Sequence, residues 1–440
     1  MQRLNLGLNQ KSYGASNPVT TVSIGIGSSK SKVGSTARIF NYCKEHSPAP
    51  SLCINQFVNI TNNNINNNIN NNNSNIYILD NETTKTIGNH LTVEQVALAY
   101  NIPRYIKPII KSVYITIIVA YHHPNIISDL NEFVLYNYFP SPKPPPVTNN
   151  NIEIINLGKN LPNQNVLPIN SNNGYLTSLE CSADIQWAYA INPYAKIRVI
   201  EAISEQSDDL FNAVKYANNL TPTSDIISLS YGIPNAYGVK YNSVFNNTKI
   251  CYIAASGDNS IPLYPSSYPN VLAIGASALN LKTGPSGYMR DSEILWSKSG
   301  CGLTPFSRPS YQPQIIKNNL RTVPDFCAVG GTQVFIFTNG QISGFFGSSV
   351  SAPIVAGILS LLIQTRYNNG LTKPLTTVQK PPISSIQIQP ILYKNYKNIF
   401  YDITQGKSNP FSAAKGFDIA SGMGVIKDVT QFIRYFMQHS

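Results

Sequence analysis

Gly347-Ser348-Ser349-Val350-Ser351-Ala352-Pro353-Ile354-Val355-Ala356-Gly357 is the stretch from which the fold is read. A glycine turn delivers a serine, and an apolar run follows at once through Ile358, Leu359, Leu361 and Leu362. The run is apolar nearly all round, which predicts a buried helix. Pro353 is expected in its first turn, where no N–H is needed. Ser349 would then meet the positive end of the helix dipole and free backbone N–H groups. A nucleophile that must stabilise an oxyanion gains from that place. A plain serine N-cap on a core helix has the same pattern, and the stretch alone leaves both readings open.

The rest of the chain supplies the context. Its 440 residues suffice for two or three average domains, or for one large α/β domain with an appendage. Hydrophobic residues make up 42% and charged residues only 12%, so a sizeable core is expected under a surface of uncharged polar groups. The net charge is +11, but Lys and Arg are scattered without a dense basic run, so no nucleic-acid partner is expected. No C-x-x-C pair occurs among Cys43, Cys53, Cys181, Cys251, Cys301 and Cys327, which argues against a zinc ribbon. No signal peptide is visible at the start, and no uninterrupted apolar run looks long enough to span a membrane. The expectation is a monomer without a membrane partner.

Residues 1–58 form an N-terminal segment in which Val22 to Ile26 reads as a short strand. Residues 59–90 are an Asn-rich, low-complexity linker that buries too little to offset its ordering entropy. Order is expected over 91–440. Thr92 is an N-cap candidate for a helix through Tyr100. Val113 to Tyr121 is β-branched and apolar on both faces, as a central parallel strand should be. A helix is expected near Asp129 to Phe133, with a loop at Pro142 to Pro146. Further helices are expected over Thr177 to Ala190 and Asp208 to Asn218, and strands over Ala195 to Ile203, Asp225 to Gly232, Ile250 to Ala255 and Val271 to Ala276. This alternation predicts an α/β fold with a mostly parallel central sheet covered on both faces, and functional residues at the carboxyl ends of strands.

Three groups of residues can carry chemistry. Glu180 and Asp184 are four apart and share a helix face, so two ionised carboxylates would repel and one pKa should rise. Thr177-x-x-Glu180 is equally a capping box. Asp258 follows the strand ending at Ala255, in Ser-Gly-Asp; it reads as turn chemistry or as a neutral acid that donates a hydrogen bond. Asp402 and Asp418 lie on Gly-rich loops whose oxygen-only donors suit calcium, or are two ordinary Asx turns. The five histidines (His46, His90, His122, His123, His439) form no Gly-His-Gly-Thr helix start.

Taken in order, Glu-x-x-x-Asp, Ser-Gly-Asp, Gly-Ser-Ser-x-Ser-Ala-Pro and the Asp-Ile…Gly-x-Asp loop resemble the sedolisin (serine-carboxyl) peptidase family, of the subtilisin-like clan. Leu91 to Pro103, Ser228-Leu229-Ser230-Tyr231-Gly232, Tyr264 to Pro269 and Val323-Pro324-Asp325 are similar to further segments of it. The resemblance implies a subtilisin-like fold and a peptidase acting on polypeptides at acidic pH. It implies Ser349 as nucleophile, Glu180 as general base, Asp184 hydrogen-bonded to Glu180, and Asp258 as protonated acid of the oxyanion hole. It implies one structural Ca²⁺ at the Asp402 and Asp418 side chains and the carbonyls of Ile403, Ala414 and Gly416, and a secreted or acidic place of action. Ser348 stands where the family has Thr, and Phe417 where it has Trp. The alternative is a catalytically silent scaffold of the same fold kept for binding or assembly.

Overall fold

The computed structural model describes residues 90–439, apart from 105–109, 138–143, 145–146, 149–150, 161–171, 285–286, 315–318 and 383, together with three two-residue strands nearer the N-terminus. Those are β1 (Thr21–Val22), paired with β2 (Ala37–Arg38), and β3 (Ser51–Leu52). Of the Asn-rich linker expected at 59–90, all but the buried His90 lies outside the described residues, as does most of the Pro142 to Pro146 loop.

From residue 90 strands and helices alternate. Helix α1 (Val93–Ala99) begins at Thr92, whose side chain accepts from Gln95 N–H while the Gln95 side chain returns a bond to Thr92 N–H. Then come β4 (Tyr114–Ala120), α2 (Ile126–Tyr136), β5 (Ile152–Asn156), α3 (Asn172–Ile191), β6 (Lys196–Ala202), α4 (Ser207–Ala217), β7 (Ile226–Leu229), β8 (Tyr231–Gly232) and the short α5 (Asn235–Gly238). Beyond them lie β9 (Cys251–Ala255), β10 (Leu272–Gly284), β11 (Gly287–Leu295), β12 (Gly302–Ser307), β13 (Leu320–Val323), β14 (Phe326–Val329), β15 (Val334–Thr338) and β16 (Gln341–Phe345). The chain closes through α6 (Ser348–Asn368), α7 (Ile388–Ile399) and α8 (Val429–His439).

The main sheet runs β5-β6-β4-β7-β9-β10-β14, then Val425–Ile426 and Phe400–Tyr401, with β11 folded back on β10. Pairing is parallel from β5 to Val425, with Ile117 flanked by Val199 and Ser228. Successive residues of β4 feed opposite layers, as strand geometry requires. Ile115, Ile117 and Val119 join the core that holds Trp187 and the apolar side chains of α6. Ile118 and Ala120 join the other, built on Phe211, Tyr231, Phe245, Tyr252 and Tyr264. The fold is therefore the α/β architecture expected, and Ser230 and Asp258 both follow carboxyl ends of central strands.

Three expectations need correction. Helix α3 starts at Asn172, so Thr177 lies inside it and is no capping-box residue. Pro353 is the sixth residue of α6, beyond the first turn. And α6 is, among the described residues, the one helix long and apolar enough to cross a membrane (mean hydropathy 1.5); 94% of that window is buried in the fold, as a core helix. The hairpins β10–β11 and β15–β16 were not foreseen. Near the C-terminal end of α3, a Cβ on Gly357 of α6 would lie 2.4 Å from Ile191 Cβ, so the two helices meet with no room for a side chain there. At the outer edge of β8, β3 pairs antiparallel, with Leu52 opposite Tyr231.

Candidate active site

Gly347 opens α6 with φ 141°, a conformation that favours glycine, and donates its N–H to the Gly330 carbonyl at 2.7 Å. Ser349 is thus the second residue of the helix, and its N–H has no partner within it. It is fully buried. Its hydroxyl donates to the carbonyl of Ser230 at 3.4 Å, a long bond. The Glu180 carboxyl lies close enough for the Ser349 hydroxyl to stabilise its anion. Neither Glu180 oxygen has a partner of normal hydrogen-bond geometry, so the Ser349–Glu180 bond is approached but not closed here.

Glu180 and Asp184 are buried on α3. Burial drives the Glu180 pKa well above the usual carboxylate range, and the Asp184 charge pushes it further. Burial also raises Asp184 strongly, against a hydrogen bond from Ser230 that lowers it. Two such groups cannot both ionise readily, so the pair retains a proton far above ordinary carboxyl pH. Asp184 Oδ1 lies 2.5 Å from Ser230 Oγ. That contact replaces the direct Asp184–Glu180 bond that the resemblance implies.

Asp258 follows β9. Ser348 N–H and Ser348 Oγ both donate to Asp258 Oδ1, at 2.8 and 2.7 Å, and Gly257 N–H donates to Ser348 Oγ at 3.1 Å. With Oδ1 occupied as acceptor, Oδ2 is the oxygen on which a proton belongs. Burial pushes the Asp258 pKa up to about 7; the Ser348 bonds and the Lys298 charge hold it from going higher. Below neutrality Asp258 is therefore an acid able to donate.

The structure thus brings Ser349, Glu180, Asp184 and Asp258 to one place from α6, α3 and the β9 loop. No hydrogen bond to a histidine is made by Ser349 among the described residues. His122 instead binds Glu201 through Nδ1 at 2.7 Å, and His123 N–H donates to the same carboxylate. Sequence reasoning assigned no role to Ser230 or Ser348. Each stands beside a residue it did single out, but a serine's partner is not legible from its neighbours in sequence.

The Asp402 and Asp418 loops converge. Asp418 accepts from Ala414, Ala420 and Ser421 N–H and from Ser421 Oγ. Asp402 accepts from Gly416 N–H at 2.8 Å. The Ile403 carbonyl has only a 3.4 Å contact from Ser421 Oγ and so keeps acceptor capacity. Two carboxylates and backbone carbonyls on one connected loop fit a hard divalent cation in kind. Burial raises the Asp418 pKa against its four hydrogen bonds, a strain on the ionised form that a cation would relieve.

Residues 147–398, more than half of the chain, match the Subtilase family. The chain belongs to the subtilase family. Within reach of this subtilase in sequence are tripeptidyl-peptidase SED2 of Arthroderma otae, 25% identical over 312 residues, and kumamolisin of Bacillus sp. strain MN-32, 26% identical over 286. Those alignments cover 58% and 56% of this chain and 48% of each relative. This subtilase thus spans about half the length of the curated relatives it matches. Among solved structures, Pseudomonas sedolisin, a serine-carboxyl proteinase complexed with pseudo-iodotyrostatin, superposes with a TM-score of 0.63 at 17% identity. The match covers 79% of this chain and 98% of that one, and it shows the subtilisin-like fold.

Proposed function

We propose that this subtilase hydrolyses peptide bonds at acidic pH, as a serine-carboxyl peptidase. The observation that carries the reading is the placing of Ser349 at the start of a buried helix, between the Glu180 carboxyl and the Asp258 that Ser348 holds. Ser349 Oγ turns from the Ser230 carbonyl to Glu180 and gives up its proton as it attacks the scissile carbonyl carbon. The oxyanion takes hydrogen bonds from Asp258 Oδ2–H and Ser349 N–H. Glu180 passes the proton to the leaving amine as the C–N bond breaks. Water then attacks the ester, gives a proton to Glu180, and Ser349 recovers it as the acid leaves. Neutral Asp184 keeps the proton burden of the pair off Glu180. The base must be ionised and Asp258 neutral, so activity belongs on the acid side of neutrality. Polypeptides are the substrates.

The Asp402 and Asp418 side chains, with the carbonyls of Ile403, Ala414 and Gly416, would hold one Ca²⁺. Bound there, it neutralises two carboxylates and ties the C-terminal loops together.

The test is cleavage of a denatured protein from about pH 3 to about pH 8, with wild type beside Glu180→Gln. Acid-limited cleavage lost in the variant supports the reading. A folded protein that cleaves nothing, and whose Ser349 resists a serine-directed label, would leave a silent scaffold.

A further inference from the structure

Two residues past Asp258, Ser260 takes φ 60°, a left-handed backbone that a serine adopts only under constraint. The loop holds part of this turn itself, since Leu263 N–H donates to the Ser256 carbonyl at 3.1 Å. The rest is held from outside. Ser260 N–H donates to the Lys298 carbonyl at 3.0 Å and Gly300 N–H to the Gly257 carbonyl at 2.6 Å, so segment 297–300 lies main chain to main chain against the loop. A second support comes from much further along the chain. Ser408 Oγ lies 2.8 Å from Ser260 Oγ and 2.7 Å from the Ser299 carbonyl, and so touches the loop and its neighbour at once.

Ser408 is fully buried, and its own place is fixed. Its carbonyl faces Cys301 Sγ at 3.5 Å. Lys407–Ser408 pairs antiparallel with Phe411–Ser412, and the Gln405 carbonyl accepts from Leu295 N–H at 2.9 Å. This hairpin is the tip of a loop, 403–413, whose ends meet at two aspartates: Gly416 N–H donates to Asp402 and Ala414 N–H to Asp418. A Cβ on Gly302 would lie 3.4 Å from both Phe411 and Pro262, so the hairpin also flanks the Asp258 loop through its aromatic ring. The loop is closed at its base and carries a buried hydroxyl at its tip, which is the form of a strut.

We propose that Ser408 is a positioning residue of the oxyanion acid: its hydroxyl braces Ser260 and Ser299 and thereby holds the Asp258 carboxyl where an oxyanion can meet it. The inference rests on the role given to Asp258 above. Ser408 touches no reacting atom. Its effect falls on the tetrahedral state, because the bound substrate has as yet no oxyanion to meet. A residue that only stabilised the fold would weaken ground-state binding and the tetrahedral state alike.

The experiment compares wild type, Ser408→Ala, Ser260→Ala and the double variant. Two probes are copied from the acyl side of a bond that wild type cleaves: a tripeptide aldehyde and the matching tripeptide alcohol. Ser349 Oγ adds to the aldehyde carbon, its proton passes to Glu180, and the former carbonyl oxygen stands where the oxyanion does. The alcohol binds without forming that centre. In Ser408→Ala, kcat and aldehyde affinity should both fall about tenfold, with KM and alcohol affinity unchanged. Ser260→Ala should lower aldehyde affinity about threefold, and the double variant should match Ser408→Ala alone. Aldehyde affinity equal to wild type in Ser408→Ala overturns the proposal and leaves the serine-carboxyl reading intact. So does an equal fall for aldehyde and alcohol, or effects that multiply in the double variant. Should Ser408→Ala fail to fold, the half-buried Ser260→Ala decides alone, and an unchanged aldehyde affinity there overturns the proposal. A folded wild type that forms no adduct at all sinks the serine-carboxyl reading and this inference with it.

Discussion

Ser230 Oγ lies 2.5 Å from Asp184 Oδ1 and 3.3 Å from the carbonyl oxygen of Ser349. The second contact has a cause in the sequence. Helical geometry would give the Ser349 carbonyl the N–H of residue 353, and that residue is Pro353, which has none. One hydroxyl has one proton. It serves the Ser349 carbonyl fully only when Asp184 is the donor to Ser230, that is, when Asp184 is protonated. The chain Asp184–Ser230–Ser349 therefore couples the charge of the acid pair to the helix start that carries the nucleophile.

Ser230→Ala breaks that chain. The Ser349 carbonyl loses its donor and the Asp184 carboxyl its buried partner, at a cost of about 1–3 kcal/mol. The expected result is a lower Tm and a fall in kcat of roughly tenfold, with little change in KM. Thermal melting and steady-state kinetics at acid pH check it. A variant with wild-type kcat would show that Ser230 does not position the site.

Ser349→Ala should abolish turnover and leave the fold in place. Only a hydroxyl and one long hydrogen bond are removed from a buried position. The rate should drop by at least about a thousandfold. Near-wild-type circular dichroism with residual cleavage at wild-type level would remove Ser349 from the mechanism.

Stability should fall as pH rises from acid toward neutral. Glu180, Asp184 and Asp258 all have folded pKa values raised by burial, so the native state binds more protons than the unfolded chain. Their contribution is complete below the unfolded carboxyl values near 4 and is lost as pH climbs through the folded ones. Asp258 alone, at about 7, accounts for roughly 4 kcal/mol of that loss. His123 works the other way: buried and held down to about 4, it contributes above its unfolded value and loses that contribution as pH falls. Three raised carboxyls outweigh it until strong acid. Melting curves at several pH values should give a higher Tm near pH 5 than near pH 8, and Glu180→Gln should flatten part of the slope. A Tm that rises steadily to pH 8 would contradict the burial of the acids.

Removing calcium should lower the Tm of wild type by several degrees, since a ligand at about 100 times its Kd contributes about 2.7 kcal/mol. In Asp418→Asn the same chelation should do nothing. A wild type indifferent to both chelator and added calcium would leave Asp402 and Asp418 as organisers of their loops.

The sheet was legible because its strands announce themselves: Tyr114–Ala120 and Cys251–Ala255 are apolar on both faces, which only a doubly covered strand tolerates. The position of Asp258 followed from the same logic. What stayed hidden depends on partners distant in the chain. Thr177 reads as a cap until the turns preceding it, from Asn172, are seen to be helical. Pro353 reads as a first-turn proline until the helix is seen to start at Ser348. Ser230 binds Asp184 across 46 residues, and Lys298 reaches the Asp258 loop across 40; neither separation leaves a trace in local pattern.

The contact between Gly357 and Ile191 has a further meaning. Ser349 rides on α6 and Glu180 on α3, and those two rigid rods touch bare backbone to side chain about 12 Å along α6 from the nucleophile. The gap across which a proton must pass is thus gauged like the jaws of a calliper, by a stop set on the shaft. The stop carries no charge and no catalytic group, and the accuracy of the jaws still depends on it.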